Sequence, residues 1–152
     1  MSPAFSSKHK RAMVLLAAVV LLSGLYPVRY LAAPRWEVWV VNEAGVPLQD
    51  VSVRLSYKNY SAESDSHEIT LTTDSTGHVL FSQQYGWACL IQEAFYIAAA
   101  ASGGVHASFG RHAFVFVFGR GYDGTAVSGN YVTDWSGSPA EMVSKITARR
   151  TN

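Results

Sequence analysis

Residues 36–55, WEVWVVNEAGVPLQDVSVRL, decide the fold class of this chain. Apart from Glu37, residues 36–41 are aromatic or β-branched, a composition that favours strands. They lead into Asn-Glu-Ala-Gly at residues 42–45, which is a typical turn composition. In residues 51–55 apolar and polar side chains alternate, which is the period of a strand with one buried face. The stretch therefore predicts two strands joined by a turn.

A second stretch, residues 67–81, has the same pattern. Residues 67–73 alternate, residues 74–77 (Asp-Ser-Thr-Gly) are a turn signal, and residues 78–81 return to a strand composition. We therefore predict a β-hairpin, with Gly77 at a position where a positive φ angle is favourable for glycine.

The later part of the chain adds further strands. Residues 113–118 are apolar on both faces, which is typical of a strand inside a sheet. Residues 93–101, EAFYIAAAA, are ambiguous, because the alanines favour helix whereas the Phe-Tyr-Ile triplet favours strand. Since this segment is short and ends at Ser-Gly-Gly, we predict a strand there and another over residues 105–109.

Three other segments are less regular. Residues 58–66 are polar and predict a surface loop. Residues 119–129 contain four glycines and predict a long turn. Residues 138–141, Ser-Pro-Ala-Glu, form a capping-box pattern, so we predict a short C-terminal helix within residues 139–148, with a final edge strand as the alternative.

At least six short strands separated by turn signals predict an all-β fold in residues 36–152, namely an antiparallel β-sandwich. Residues 1–35 have a different composition and form a basic tail with a membrane segment. The predicted fold class is therefore an all-β sandwich preceded by one N-terminal transmembrane helix.

The predicted membrane segment is residues 12–28. Its uncharged part, AMVLLAAVVLLSGL, follows Lys-His-Lys-Arg at residues 8–11. A basic flank before an apolar run is typical of a membrane anchor or a cleavable signal peptide. Cleavage after Ala32 or Ala33 would place a large residue, Tyr or Leu, three residues before the cut, where a small one is needed. An uncleaved anchor is therefore favoured, and secretion after signal cleavage stays the alternative.

Charge is distributed unevenly along the chain. The first 35 residues carry five Lys or Arg and no acid, whereas the rest carries seven Lys or Arg and eleven Asp or Glu. We expect the basic end to stay in the cytoplasm and the domain to face the periplasm or the exterior, as a single-pass protein of the cytoplasmic membrane. The mildly acidic body excludes nucleic acid as the expected partner, because phosphate binding needs clustered cations.

Two motifs carry a resemblance to a known family. Gly-Val-Pro-Leu at residues 45–48 precedes the alternating strand, and Thr-Asp-Ser-Thr-Gly at residues 73–77 precedes Phe81. Together they resemble the carboxypeptidase-regulatory-like domains of the transthyretin-like, or prealbumin-like, β-sandwiches. The resemblance covers residues 38–81 and implies architecture more than chemistry, because such domains are usually non-catalytic modules of secreted or surface proteins.

Chemistry known from similar sandwiches is not supported by the residues. A Lys–Asn isopeptide crosslink needs a lysine on the first strand, and residues 36–41 contain none. The related hydrolases of purine catabolism end in Tyr-Arg-Gly-Ser, which residues 147–152 lack. His106 and His112 flank a predicted hairpin, but no third metal ligand accompanies them, so exposed histidines at strand ends are the simpler interpretation. We predict no catalytic residue, cofactor or metal site.

The glycine-rich region and the segment after it hold the candidate ligand-binding residues. Aromatic side chains beside charged ones offer rigid apolar area and hydrogen bonds to a glycan or a peptide. The alternative is that Tyr131 and Trp135 cap the core of the sandwich. The candidates are Arg120, Tyr122, Asp123, Tyr131, Asp134 and Trp135.

The predicted function is that of a non-enzymatic, membrane-anchored module outside the cytoplasm, acting in protein interaction or envelope structure. The alternative is a glycan- or peptide-binding module that uses residues 119–137. The expected partners are the membrane, through residues 12–28, and an envelope protein or a glycan. Cys89 is the single cysteine and lies in an apolar stretch, which predicts a buried, inert thiol, with an intermolecular disulfide as the alternative.

Overall fold

The computed structural model describes residues 7–104, 107–127 and 132–150 of the 152-residue chain, and for residues 123–127 it describes the backbone alone. Its elements in chain order are α1 (Ser7–Gly24), β1 (Val28–Ala33), β2 (Arg35–Val41), β3 (Ser52–Asn59), β4 (His67–Thr72), β5 (His78–Phe81), β6 (Gln84–Ala88), α2 (Leu90–Ala101), β7 (Arg111–Gly119), β8 (Tyr122–Val127), β9 (Asp134–Trp135) and β10 (Glu141–Arg150).

Within the described residues, the strands form a large sheet and a small ribbon. The sheet has eight strands in the order β4-β3-β7-β8-β10-β2-β5, with β9 paired to β7, and the ribbon consists of β1 and β6. Neighbouring strands are antiparallel except β10 and β2, which run parallel from Glu141 opposite Arg35 to Thr147 opposite Val41. The prediction of a mostly antiparallel β fold is confirmed.

One apolar core lies between the two ends of this sheet. Trp36, Val38 and Val40 of β2 are fully buried, and so are Val115 and Val117 of β7. All of them belong to the same cluster, although β8 and β10 separate the two strands in the sheet. The sheet therefore curls into two facing layers, and its alternating apolar side chains fill the space between them, which is consistent with a β-sandwich.

A buried polar contact links the two parallel strands. The indole N–H of Trp36 donates to Oγ of Ser144 across 2.8 Å, and both residues are fully buried. The Ser144 hydroxyl in turn donates to the carbonyl of Val132. Because the buried indole donor is satisfied, the core accommodates a serine without the desolvation cost of an unpaired polar group.

The two turns of the family-like motifs meet at one end of the sandwich. The Asn42 side-chain oxygen accepts from the backbone N–H groups of Ala44 and Val46, each across 2.9 Å, which fixes the first turn. Gly77 closes the second turn at a φ of 74°, as predicted, and its carbonyl accepts from the N–H of Val40 across 2.8 Å. The Thr73 hydroxyl also donates to the Leu48 carbonyl across 2.7 Å, so the two motifs form one structural unit.

The predicted hairpin over residues 67–81 is wrong. β4 pairs with β3 along six residue pairs, from Tyr57 opposite His67 to Ser52 opposite Thr72, whereas β5 pairs with β2. The reason is that β3 continues to Asn59, so the chain can return along it after a turn at residues 60–66. The strands on either side of the Gly77 turn consequently lie at opposite edges of the sheet.

The strand predicted for residues 93–101 is also wrong, since these residues form most of helix α2. Four consecutive alanines favour helix, and this local preference prevails because the segment pairs with no strand in the part of the chain that the structure describes. The strand predicted for residues 105–109 lies partly outside the described residues, and residues 107–109 are irregular.

Two predictions for the C-terminal part are corrected. Residues 119–129 are not one long turn, because only Arg120 and Gly121, both at positive φ, connect β7 to β8. The C-terminal helix within residues 139–148 is replaced by β10, in which every second residue from Met142 to Ala148 is buried. That period of two, together with the β2 ladder, outweighs the capping-box pattern.

The N-terminal helix also differs from the prediction. Among the described residues, neither helix is long and apolar enough to cross a membrane, so the transmembrane helix expected over residues 12–28 is not observed. α1 ends at Gly24, and the part after its basic first turns is about 20 Å long at ~1.5 Å per residue. From Val28 the chain belongs to the ribbon, and Ala33 lies in the core.

Candidate functional site

The predicted ligand-binding residues lie partly at the β7–β8 turn. Arg120 is exposed there, and its Nη1 lies 3.4 Å from Oδ2 of Asp50. Tyr122 is half-buried and packs against the core. Asp123 pairs with Phe118 in the β7–β8 ladder, and nothing is described of its side chain. Tyr131 lies outside the described residues.

The other predicted residues lie near the opposite end of β7. Asp134, which is exposed, pairs with Phe114, and Trp135 pairs with Ala113. Five residues of strand separate Phe114 from the β7–β8 turn, a distance of about 17 Å. Trp135 is only 2% exposed, and its indole N–H donates to the Pro139 carbonyl across 2.6 Å. Trp135 is therefore a core residue, as the alternative interpretation predicted, and the described candidates do not converge on one site.

A much larger unusual surface is formed by helix α1. Its large apolar side chains are 58–69% exposed. Single exposed apolar residues are ordinary in soluble proteins, but contiguous patches mark interaction sites. The exposed large side chains of α1 are Met13, Val14, Leu15, Leu16, Val19, Val20, Leu21 and Leu22.

The ribbon of β1 and β6 adds aromatic residues to this surface. Trp87 and Tyr85 of β6 are 63% and 46% exposed, and Tyr26, which precedes β1, is exposed as well. The guanidinium carbon of Arg29 lies 3.7 Å from the centroid of the Tyr85 ring, within range of a cation–π contact. Tyr30 is not exposed in this way, because its ring packs over Gly86, the residue opposite it in the ribbon.

The packing of Tyr30 depends on that glycine. A Cβ added to Gly86 would lie 2.4 Å from Cζ of Tyr30, so only glycine lets the ring lie across the ribbon. Burial, together with the nearby charge of Glu63, raises the pKa of Tyr30. Within the ribbon, Tyr30 therefore faces the domain whereas Tyr85 and Trp87 face outward.

Helix α2 begins where this ribbon ends. Val28 at the start of β1 pairs with Ala88 at the end of β6, so the chain leaving α1 and the chain entering α2 are adjacent. A Cβ added to Gly24 would lie 3.0 Å from Cγ1 of Ile91, which shows that the two helices touch there. α1, the outer side of the ribbon and α2 thus form one continuous apolar and aromatic surface, hereafter the helical surface.

A second candidate site is a groove beside the two family-like turns. Its volume is about 460 Å³, and Trp39, which is 38% exposed, stands at its edge. The ring of His78 lies 4.5 Å from that of Trp39, and Oε1 of Glu37 lies 3.0 Å from Nε2 of His78. The groove, hereafter the Trp39 groove, is lined by Trp39, Val41, Gly45, Pro47, Thr76 and Lys145.

Sequence reasoning missed the Trp39 groove although a signal was present. Trp39 is out of phase with Trp36, Val38 and Val40 in β2, so it had to face away from the core. The helical surface was signalled only in part, because residues 12–25 were recognised as apolar whereas residues 93–101 were assigned to a strand.

The residues considered for metal and thiol chemistry lie as follows. No group of three His, Cys, Asp or Glu in that part of the chain could hold a metal ion. His106, one of the two histidines considered from the sequence, lies outside the described residues, and Nε2 of His112 lies 3.0 Å from the Phe109 carbonyl. Cys89 is half-buried just before α2 rather than fully buried.

No protein-family model and no curated protein matches this chain. Among solved structures it is similar to 3-chlorocatechol 1,2-dioxygenase from Rhodococcus opacus 1CP, with 15% sequence identity and a TM-score of 0.45. The match covers 80% of this chain and 62% of the dioxygenase chain, so this chain spans less than two thirds of that protein's length. A similarity of this degree does not define an activity for this chain.

Proposed function

We propose that the chain is a non-enzymatic β-sandwich module that α1 holds at the cytoplasmic membrane, with the sandwich in the periplasm or exterior. There it acts in protein interaction or envelope structure. The observation that carries the proposal is the exposure of every large apolar residue of α1, from Met13 to Leu22. A helix that is apolar all round is stable only where an apolar environment surrounds it.

Charge supports contact between α1 and lipid. Lys8, Lys10 and Arg11 form the first turns of α1, before its apolar part. Basic residues next to an apolar helix are attracted by anionic lipid headgroups.

Retention of the N-terminal segment has its own support in the ribbon. Cleavage after Ala32 or Ala33 would remove β1, which pairs with β6 along the ribbon. It would also remove the Leu31 carbonyl that accepts from Nη1 of Arg111 across 3.2 Å. Because Ala33 belongs to the core cluster, the domain is better formed with the segment attached.

The architecture supports a module of the carboxypeptidase-regulatory-like, transthyretin-like type. Its two motifs, residues 45–48 and 73–77, contact each other through the hydrogen bond that the Thr73 hydroxyl donates to the Leu48 carbonyl across 2.7 Å.

Vesicle flotation of the full chain tests the proposal. We expect wild-type protein to float with vesicles of phosphatidylcholine and phosphatidylglycerol. Leu16→Glu should weaken partitioning at least tenfold, because burying one leucine is worth about 1.5–3 kcal/mol and ~1.4 kcal/mol is a factor of ten. The matched control is Val46→Glu, an exposed apolar residue in the first turn of the sandwich, which should float like wild type. Equal flotation of the two variants, or none of the wild type, refutes the proposal.

A second candidate function is binding of a glycan or a peptide, and the Trp39 groove favours it. An exposed tryptophan beside Lys145 and Thr76 offers a flat apolar face with hydrogen-bond donors. Glycan and peptide arrays probed with the full chain test it. We expect Trp39→Ala to abolish array signals, whereas Tyr122→Ala, at the start of β8, should retain them. If only Tyr122→Ala loses the array signals, the binding site lies in residues 119–137 and not in the Trp39 groove.

A further inference from the structure

Helix α2 turns its polar residues toward the domain. The Gln92 side chain donates to the Ala62 carbonyl across 2.6 Å, which ties the helix to the loop after β3. Gln92, Glu93, Tyr96 and Ala100 are its half-buried residues, and their spacing places them on one helical face. This face lies over the end of the sandwich, where Tyr96 shares a cavity of about 410 Å³ with Lys58 and Glu63.

The outward face of α2 is entirely apolar. None of the twelve residues of α2, all of them described, is buried, and the exposed ones include no polar residue. A helix on the surface of a soluble domain has the reverse arrangement, with its apolar stripe against the core and polar residues in water. The exposed residues are Leu90, Ile91, Ala94, Phe95, Ile97, Ala98, Ala99 and Ala101.

The apolar face of α2 lies next to α1. Gly24 of α1 touches Ile91 of α2, and the ribbon pair Val28 and Ala88 holds the two helices at the same end of the domain. A bilayer that takes up α1 is therefore already within contact distance of α2. An apolar helix next to a membrane segment is stabilised by insertion at the level of the headgroups and upper acyl chains.

The residues around the two helices have the composition of a membrane interface. Tyr26, Tyr85 and Trp87 are exposed at this end of the domain, with Arg29 against the Tyr85 ring. Tyrosine and tryptophan concentrate at the bilayer interface, where the ring is in an apolar environment and its polar atom reaches water, and arginine pairs with lipid phosphates.

We propose that α2 is a second membrane contact, which lies in the plane of the interface so that the end of the sandwich rests on the lipid bilayer. The inference deepens the proposed function and rests on it, because α1 brings the bilayer to α2. The module would then have a fixed orientation on the membrane instead of hanging from a flexible tether. Its Trp39 groove, lined by the turns at the other end of β2, would face away from the lipid.

Fluorescent probes on the full chain test this arrangement. Cys89→Ser removes the single cysteine, and a cysteine carrying a nitrobenzoxadiazole dye is then placed at Ile97 of α2, at Leu16 of α1 or at Val143 of β10. Ile97 and Val143 are a matched pair, since both are apolar and they are 44% and 46% exposed. With vesicles of phosphatidylcholine and phosphatidylglycerol, we expect the emission of a dye at Ile97 or Leu16 to become brighter and to shift to the blue. The emission of a dye at Val143 should not change.

The three probes separate the two proposals. A shift at Leu16 without one at Ile97 overturns the α2 contact and leaves the proposed function standing. No shift at any position overturns both. A shift at Ile97 that grows with protein concentration in the absence of vesicles also overturns the membrane contact, because a second copy of the chain would then cover α2.

A charge variant gives an independent readout of the same face. Phe95→Glu should weaken flotation at least tenfold relative to Val143→Glu, which changes an exposed apolar residue on the sheet. Equal flotation of the two variants would show that the outward face of α2 does not enter the lipid.

Discussion

Replacing Gly77 by alanine tests the junction between the two turns. Gly77 has a φ of 74°, and a Cβ added there would lie 2.5 Å from the Val40 carbonyl oxygen and 3.1 Å from the Leu48 nitrogen. Both neighbours are backbone atoms joined by a 3.0 Å hydrogen bond, so neither can move without breaking it. The added methyl group therefore has to separate β2 from the second turn.

The magnitude follows from two contributions. A left-handed conformation costs a non-glycine residue about 1–2 kcal/mol. Separating the turns also weakens the hydrogen bonds from Val40 to Gly77 and from Leu48 to Val40, each worth about 0.5–1.5 kcal/mol. We expect Gly77→Ala to lower the free energy of unfolding by about 2–5 kcal/mol in total.

Gly45→Ala is the matched control. Gly45 has almost the same φ, 77°, but nothing lies within 4 Å of its added Cβ. Only the conformational cost of about 1–2 kcal/mol then applies. Urea unfolding followed by the fluorescence of the buried Trp36 and Trp135 measures both variants. Equal losses would refute the reasoning, because they would show that the contact with the Val40 carbonyl has no effect on stability.

Two further predictions concern buried and acidic groups. Ser144→Ala should cost about 1–3 kcal/mol in urea unfolding, because the buried indole N–H of Trp36 loses its acceptor. In a Trp36→Phe background the same change should cost clearly less, and an equal cost would contradict this explanation. Hydrogen bonds from the Thr76 hydroxyl and from the backbone of His78 and Thr76 lower the pKa of Asp74 in the folded state. Asp74 therefore stabilises the fold above its unfolded pKa, and this contribution is lost as pH falls through the folded pKa. Asp74→Asn should reduce the loss of stability in acid, measured by urea midpoints from neutral pH downward, and an unchanged pH dependence would contradict that assignment.

Local patterns predicted those strands whose period of two coincides with burial. β2 and β3 were recognised because Trp36, Val38, Val53 and Leu55 alternate with polar or exposed residues and all four are buried in the core. What local pattern could not provide was the pairing partner. β10 lies next to β2, which is more than a hundred residues earlier in the chain. No local pattern indicates this pairing, and it explains why residues with a capping-box pattern form a strand and not a helix.

The candidate site was predictable to the extent that composition alone defines it. The apolar composition of residues 12–24 can be read without knowing the fold, so the sequence predicts a helix that needs an apolar environment. α2 was missed because a run of alanines with Phe95 and Ile97 fits a buried strand as well as an exposed helix, and only the three-dimensional position shows which residues face outward. The prediction that Arg120 and Trp135 share one site was wrong, because ~17 Å of strand β7 separates them although they are close in sequence.

The parallel pairing of β2 and β10 determines how the domain bears a mechanical load. If α1 fixes the N-terminal side of β2 to a membrane and a partner pulls on the C-terminal end of β10, the two strands are drawn in opposite directions along their length. All seven residue pairs, from Arg35 with Glu141 to Val41 with Thr147, then share the load at once. Antiparallel neighbours held at the same end would instead open one pair at a time. A domain with this pairing resists stretching between the N-terminal end of β2 and the C-terminal end of β10.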